Sequence, residues 1–141
     1  MKYVLDSNVA IKWVLTEPDS PKALALRADY RAQFHELLAP DDFPVEVAHA
    51  LTRAERRAII KQGQAAALLS VVMMTCPQQY PYQPLLQRAT AISSQARIGV
   101  YDCLYVALAE REKCELVTAD GKLISKLQAQ FPFIVPLMSL P

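Results

Sequence analysis

Lys2-Tyr3-Val4-Leu5-Asp6-Ser7-Asn8-Val9-Ala10-Ile11 carries the unit from which the fold is read. Lys2–Leu5 is short, apolar and β-rich, the pattern of a buried strand. Behind it, Val9, Ala10, Ile11, Trp13, Val14 and Leu15 predict a helix, with Ser7 or Asn8 able to cap it. Asp6 stands at the junction. The same junction recurs along the chain: Glu46 follows Leu37-Leu38-Ala39-Pro40 and a short loop, Asp102 follows Ile98-Gly99-Val100-Tyr101, and Asp120 follows Leu116-Val117-Thr118. In an open α/β sheet, strand ends that feed helices lie along one edge, where such folds place their sites. Carboxylates gathered there repel one another unless a divalent cation joins them.

Outward from these junctions the chain alternates. Pro18 to Pro21 is a break, with Asp19 or Ser20 as the next cap and Pro21 suited to a first helical turn. A helix is predicted over Ala23 to Phe34, with Leu24, Leu26 and Tyr30 available for packing, then a short strand at Leu37–Ala39. From Val45 a helix places Val47, Ala48, Leu51, Ala54 and Ala58 on one face, and beyond Gly63 another runs from Gln64 to Met74. Pro77 to Pro84 reads as loop with room for an edge strand. Helices over Leu85 to Ala96 and Tyr101 to Lys113, a strand at Glu115–Thr118, a helix over Gly121 to Gln130 and a last strand at Phe133–Val135 complete the pattern. Strands alternating with helices predict an α/β fold, a parallel sheet flanked by helices, in a single compact domain spanning residues 1–141.

Composition narrows the class. With 141 residues, 52% hydrophobic and 21% charged, the chain has the makeup of one folded domain and not of a disordered segment. No apolar stretch approaches a membrane span, and the N-terminus meets Asp6 too soon for a secretory signal. Cys76, Cys103 and Cys114 are odd in number and lack paired ligand spacing, so a reduced, cytoplasmic location is expected, with Cys103 a small core residue. The net charge of +1 conceals a division: with the four acids set aside, ten Asp+Glu remain against 15 Lys+Arg. A basic remainder around an acidic, cation-filled centre suits a phosphodiester substrate.

Each acid alone has a plainer explanation. Asp6, Asp102 and Asp120 sit where a helix N-cap sits, and Glu46 lies in a first turn that favours negative charge. The set says more than its members. Asp102 precedes an apolar helix beside Tyr101 and Tyr105, where a charge is costly unless paired. No Lys or Arg adjoins Asp6, Asp102 or Asp120 except Lys122. Thr118 brings a hydroxyl two residues before Asp120, able to hold a carboxylate or a metal-bound water. Oxygen donors without His or Cys suit Mg²⁺ or Mn²⁺, which activate water for attack on phosphorus. Other chemistries are weaker: His35 and His49 lie in no motif, and there is no P-loop, nucleophile elbow or dinucleotide fingerprint. Trp13 reads as a core or subunit contact. Arg53, Arg56, Arg57 and Lys61 continue the helix that begins with Glu46, and Glu46, Arg53 and Arg57 share a rough stripe along which a phosphate backbone can run.

The chain resembles the PIN-domain family, in particular VapC-like toxins of bacterial toxin–antitoxin pairs. The resemblance rests on Asp6-Ser7-Asn8-Val9-Ala10-Ile11-Lys12-Trp13, Pro44-Val45-Glu46-Val47-Ala48, Val100-Tyr101-Asp102-Cys103-Leu104-Tyr105-Val106-Ala107-Leu108-Ala109 and Val117-Thr118-Ala119-Asp120-Gly121-Lys122-Leu123, in that order over nearly the whole chain. It implies a PIN fold and a Mg²⁺- or Mn²⁺-dependent endoribonuclease that cuts RNA. It also implies a homodimer and inhibition by a cognate VapB-like antitoxin whose tail covers the acidic groove. Carried over by position, Asp6, Glu46, Asp102 and Asp120 become the catalytic, metal-binding acids, with Asn8 ordering the site and Thr118 orienting Asp120 or a metal-bound water. Two positions depart from the pattern: His49 stands where Asn is frequent, and Gly99 where Ser is common. Two other readings keep the fold, a PIN nuclease for DNA or RNA processing without an antitoxin, and a non-catalytic PIN-like scaffold whose acids cap helices. A phosphoacceptor or dehalogenase-like domain is more distant, because Ser7 and Asn8 stand where such sites want a second carboxylate.

Overall fold

A computed structural model describes residues 1–141. Five strands, β1 (Lys2–Leu5), β2 (Glu36–Pro40), β3 (Gln78–Tyr80), β4 (Glu115–Thr118) and β5 (Ile134–Pro136), form one sheet in the order β3-β2-β1-β4-β5. Every pairing is parallel, with Val4 opposite Leu38 on one side and Leu116 on the other. Val4, Leu5, Leu37, Leu38, Leu116 and Val117 are all fully buried, as central parallel strands covered on both faces must be. This is the α/β architecture expected from the alternation of elements.

Seven helices connect the strands: α1 (Ser7–Ile11), α2 (Ser20–Arg31), α3 (Phe43–Arg56), α4 (Gln64–Met73), α5 (Leu86–Ala96), α6 (Val100–Glu112) and α7 (Gly121–Leu127). The chain first steps outward from β1 to β2 to β3, then returns across the sheet to β4 and on to β5. Right-handed crossovers therefore put α1–α4 on one face and α5–α7 on the other. The reversal makes a switch point between the carboxyl ends of β1 and β4, where neighbouring connections leave in opposite directions. Helix α6 packs under the centre of the sheet, against β1, β2 and β4. Its residues Cys103 to Ala109 are all buried, so it is apolar all round instead of amphipathic. Cys103 is a core residue, as expected.

Several local expectations change. Asp6 itself caps α1, accepting from the Asn8 backbone N–H at 3.3 Å, so neither Ser7 nor Asn8 is the cap. Helix α1 ends at Ile11 and passes into turns, and Lys12, its C-cap, lies 2.8 Å from both Glu17 and Asp19. Asp102 is no cap: Gly99 holds that position and Asp102 sits in the first turn of α6. Asp120 does cap α7, accepting from Lys122 and Leu123. Leu24 is exposed, and so is Ala58, which lies past the end of α3 with φ +58°. Arg57 is the C-cap of α3, so within the helix the stripe shared with Glu46 ends at Arg53. Trp13 is buried and donates its indole N–H to the Ala23 carbonyl at 2.9 Å, a contact within the core. The Pro77–Pro84 stretch does hold an edge strand, β3, which pairs only with β2.

Candidate active site

The carboxyl ends of β1 and β4 and the first turns of α3 and α6 converge on one open cavity of about 740 Å³. Asp6, Glu46, Asp102 and Asp120 all line it. Each arrives by a different local route. Asp6 is the residue after β1, and its backbone N–H still donates to the Val117 carbonyl, so the β1–β4 ladder fixes its position. Glu46 and Asp102 sit in first helical turns, where the helix dipole favours a carboxylate. Asp120 is held by its own capping bonds.

A hydrogen-bond network built on Thr118 organises the centre. Its hydroxyl donates to Asp6 Oδ2 at 2.9 Å and accepts from the Asp120 backbone N–H at 3.1 Å. The Asn8 amide lies 3.4 Å from the same hydroxyl, and its Oδ1 accepts from the Ala119 backbone N–H at 3.1 Å. Asn8 thus ties the start of α1 to the turn after β4, an ordering role in geometry. The Thr118 hydroxyl therefore orients the Asp6 carboxylate directly and Asp120 through its backbone N–H.

Electrostatics set the site apart from a row of helix caps. Asp6 is only 3% exposed. Burial pushes its carboxyl up to about 7 against the pull of the Thr118 hydroxyl, with Asp102 and Asp120 adding repulsion. Glu46 is pushed up by burial and by the neighbouring Asp42, although Tyr105 donates to its Oε1 at 2.9 Å. Asp102 is raised by burial and then by Asp120, with Lys122 opposing. None of the four acids is in an ion pair. The one ammonium in the cavity wall, Lys12, is engaged by Glu17 and Asp19. Buried like charges without a counter-charge are costly, and a hard divalent cation is the group that relieves them.

The donor set fits Mg²⁺ or Mn²⁺ in kind: oxygen donors only, on a cavity wide enough for an ion that keeps much of its water. No three acidic, His or Cys side chains close tightly around a single point. That arrangement suits an ion held by one or two carboxylates more than a closed protein cage.

Sequence reasoning missed three contributors. Tyr105, fully buried on α6, reaches across to Glu46, a pairing no local pattern encodes. Asp42, one turn before Glu46, has both carboxylate oxygens buried with no hydrogen-bond donor. Lys12 is buried at the cavity wall, and its spacing from Glu17 and Asp19 was the available signal.

Fold and site together define a class. The PIN domain model matches residues 3–128, and the chain belongs to the PIN-domain family. Within that family it is VapC-like. It is 31% identical to Ribonuclease VapC3 of Pyrobaculum aerophilum over 131 residues, covering 92% of this chain and 97% of that one. It is also 31% identical to Ribonuclease VapC12 of Mycobacterium tuberculosis, covering 85% and 88% of the two chains. Among solved structures, PAE2754 from Pyrobaculum aerophilum superposes with a TM-score of 0.70 at 18% identity, over 99% of this chain and 94% of the other. VapBC2 from Rickettsia felis, bound to a DNA fragment from its promoter, gives a TM-score of 0.63 at 17% identity, over 96% and 97%. These two likenesses show the shared fold. No helix is long and apolar enough to cross a membrane.

Proposed function

We propose that the chain is the toxin component of a type II toxin–antitoxin pair, a Mg²⁺- or Mn²⁺-dependent endoribonuclease acting in the cytoplasm. The observation that carries this reading is the gathering of Asp6, Glu46, Asp102 and Asp120 on one cavity with no cationic side chain paired to any of them. The relatives named ribonucleases support the substrate class.

Asp6 and Asp102 are the principal ligands in this reading, with Glu46 and Asp120 completing the acidic pocket around them. When bound, the ion lowers the pKa of water for attack on phosphorus and offsets charge on the departing oxygen. The chain's residues do the rest. Thr118 and the Asn8 backbone hold Asp6 in one rotamer, so the carboxylate is pre-oriented. Tyr105 holds Glu46 toward the cavity. The VapBC2 complex among the fold neighbours supports a VapB-like antitoxin as partner; in this reading the antitoxin's tail covers the acidic groove and the toxin is a homodimer.

The test is RNA cleavage with Mg²⁺ or Mn²⁺, followed by sequencing of the RNA ends after induced expression. Asp6→Asn and Asp102→Asn are expected to abolish cleavage while retaining the circular dichroism spectrum of the parent. Undiminished cleavage in both variants, or in EDTA, would overturn the proposal.

A further inference from the structure

One imidazole faces the acidic cavity. His49 stands on α3 three residues beyond Glu46 and lines the cavity with it. It is exposed, and its ring enters no ion pair. Glu46 is bonded by Tyr105 and not by His49. The other histidine is spent elsewhere: His35 Nε2 lies 3.5 Å from Asp29, and that ring lines a separate, smaller hollow beside the start of β2. No three acidic, His or Cys side chains close on one point, so His49 is not gathered with two of the acids into an ion site. Its ring nitrogens are left for another task.

The chemistry of the cavity lacks one part that His49 can supply. The oxygen that departs from a cut phosphodiester needs a proton, and offsetting its charge does not provide one. With the four acids given over to an ion, a donor fixed beside the reaction has to be another lining side chain. Asn8 is committed to Thr118 and Ala119, and Lys12 and Glu17 to each other. Ser7, His49, Arg53 and Tyr101 remain as lining side chains with an N–H or O–H to give. As classes, alcohols, phenols and guanidinium groups keep their protons near neutral pH, whereas an imidazole gives and retakes one there.

We propose that His49 is a catalytic residue, the general acid that protonates the departing sugar oxygen as the phosphodiester is cut. The inference rests on the nuclease reading of the site and adds the group that completes the leaving step. The water oxygen bonds to phosphorus while the bond from phosphorus to the departing sugar oxygen breaks. One water proton passes to solvent, the imidazolium proton passes to the sugar oxygen, and the neutral ring is recharged from solvent.

The experiment uses the full chain with Mg²⁺ and an RNA oligonucleotide carrying a cleavage site mapped by end sequencing. The oligonucleotide is made in two forms, one ordinary and one with sulfur in place of the departing oxygen, which the product ends identify. A thiolate leaves without a proton, so the sulfur form has no need of the acid. His49→Gln is expected to lower kcat on ordinary RNA about a hundredfold, with KM within about twofold of the parent. On the sulfur form the variant is expected to match the parent within about twofold. With Ca²⁺ in place of Mg²⁺ and the RNA uncut, the His49 ring signals in the proton NMR spectrum are expected to move as the oligonucleotide is added. Their absence from the His49→Gln spectrum identifies them. Signals that stay in place while other resonances shift overturn the proposal. So does an equal loss on both forms of the RNA, which makes His49 a strand-holding group, or a loss repaired by excess Mg²⁺, which makes it an ion ligand. Unchanged kcat in His49→Gln overturns it and leaves the nuclease reading standing. A parent that cuts no RNA removes both readings together.

Discussion

The Thr118 hydroxyl donates to Oδ2 of Asp6 at 2.9 Å, joining the ends of two adjacent parallel strands that lie 112 residues apart in the chain. Both groups are buried, and the bond is the only side-chain donor to the most deeply placed acid of the site. Thr118→Val keeps the shape and removes the donor. In urea denaturation the variant is expected to lose about 1–3 kcal/mol at pH 8, the cost of leaving a buried acceptor unpaired. Thr118→Ser is expected to retain most of the stability. Equal stability of Thr118→Val and the parent contradicts the account.

Metal-free protein is expected to lose stability as pH rises. The Asp6 carboxyl stands at about 7 in the fold, against an ordinary value of 3.8. A raised acid binds its proton more tightly when folded, so its contribution is fully present below about pH 4 and is lost as pH climbs through about 7. Glu46, also raised by burial, continues the decline above that range. Denaturation midpoints measured in EDTA from pH 4 to pH 8 are expected to fall, and Asp6→Asn to flatten the lower part of the curve. A midpoint that rises through this window runs against the sign given.

Tyr105→Phe tests the strut behind Glu46. The phenol is fully buried and its bond to Oε1 spans 2.9 Å, so the substitution strands an acceptor while leaving the ring packed. A destabilisation of about 1 kcal/mol or more is expected. In the cleavage assay kcat is expected to fall several-fold with KM little changed, because Tyr105 does not line the cavity where RNA would lie. A change confined to KM would assign Tyr105 to substrate contact instead.

Gly99→Ser restores the residue that is common at this position, and the structure has room for it. A Cβ on Gly99 meets nothing nearer than Asp102 Oδ2 at 3.9 Å, and φ −58°, ψ 144° is ordinary for an L residue. Gly99 is the N-cap of α6 and makes no capping bond, so a serine hydroxyl is expected to add a few tenths of a kcal/mol. A thermal melt of the variant at or slightly above the parent checks it. A clear drop would mean that the α6 entrance has no space for a side chain.

Much of the architecture was legible because local periodicity states which residues are buried. Glu115–Thr118 falls where its alternating-free apolar run placed it, and the edge strand in the proline-rich stretch was foreseeable from Pro77 and Pro84. Helix ends were less legible. Gln33, Ala58, Arg97 and Lys113 all adopt positive φ, so turns that glycine usually marks are made here by other residues. With three glycines in the chain, the stop signals were largely missing.

By itself the sequence determined the alternation of strands and helices and the placement of Asp6, Glu46, Asp102 and Asp120 at strand exits or helix entrances, since both follow from short-range patterns of apolar and acidic residues. The tertiary structure alone decided that β1 lies between β2 and β4, which brings Asp6 under Thr118 and opens the switch-point cavity. It also decided that Tyr105 reaches Glu46 and that Tyr101 and Val45 line the same cavity. Periodicity encodes which face of an element is buried but not which partner covers it. That choice is made by the packing of the whole sheet and its right-handed crossovers.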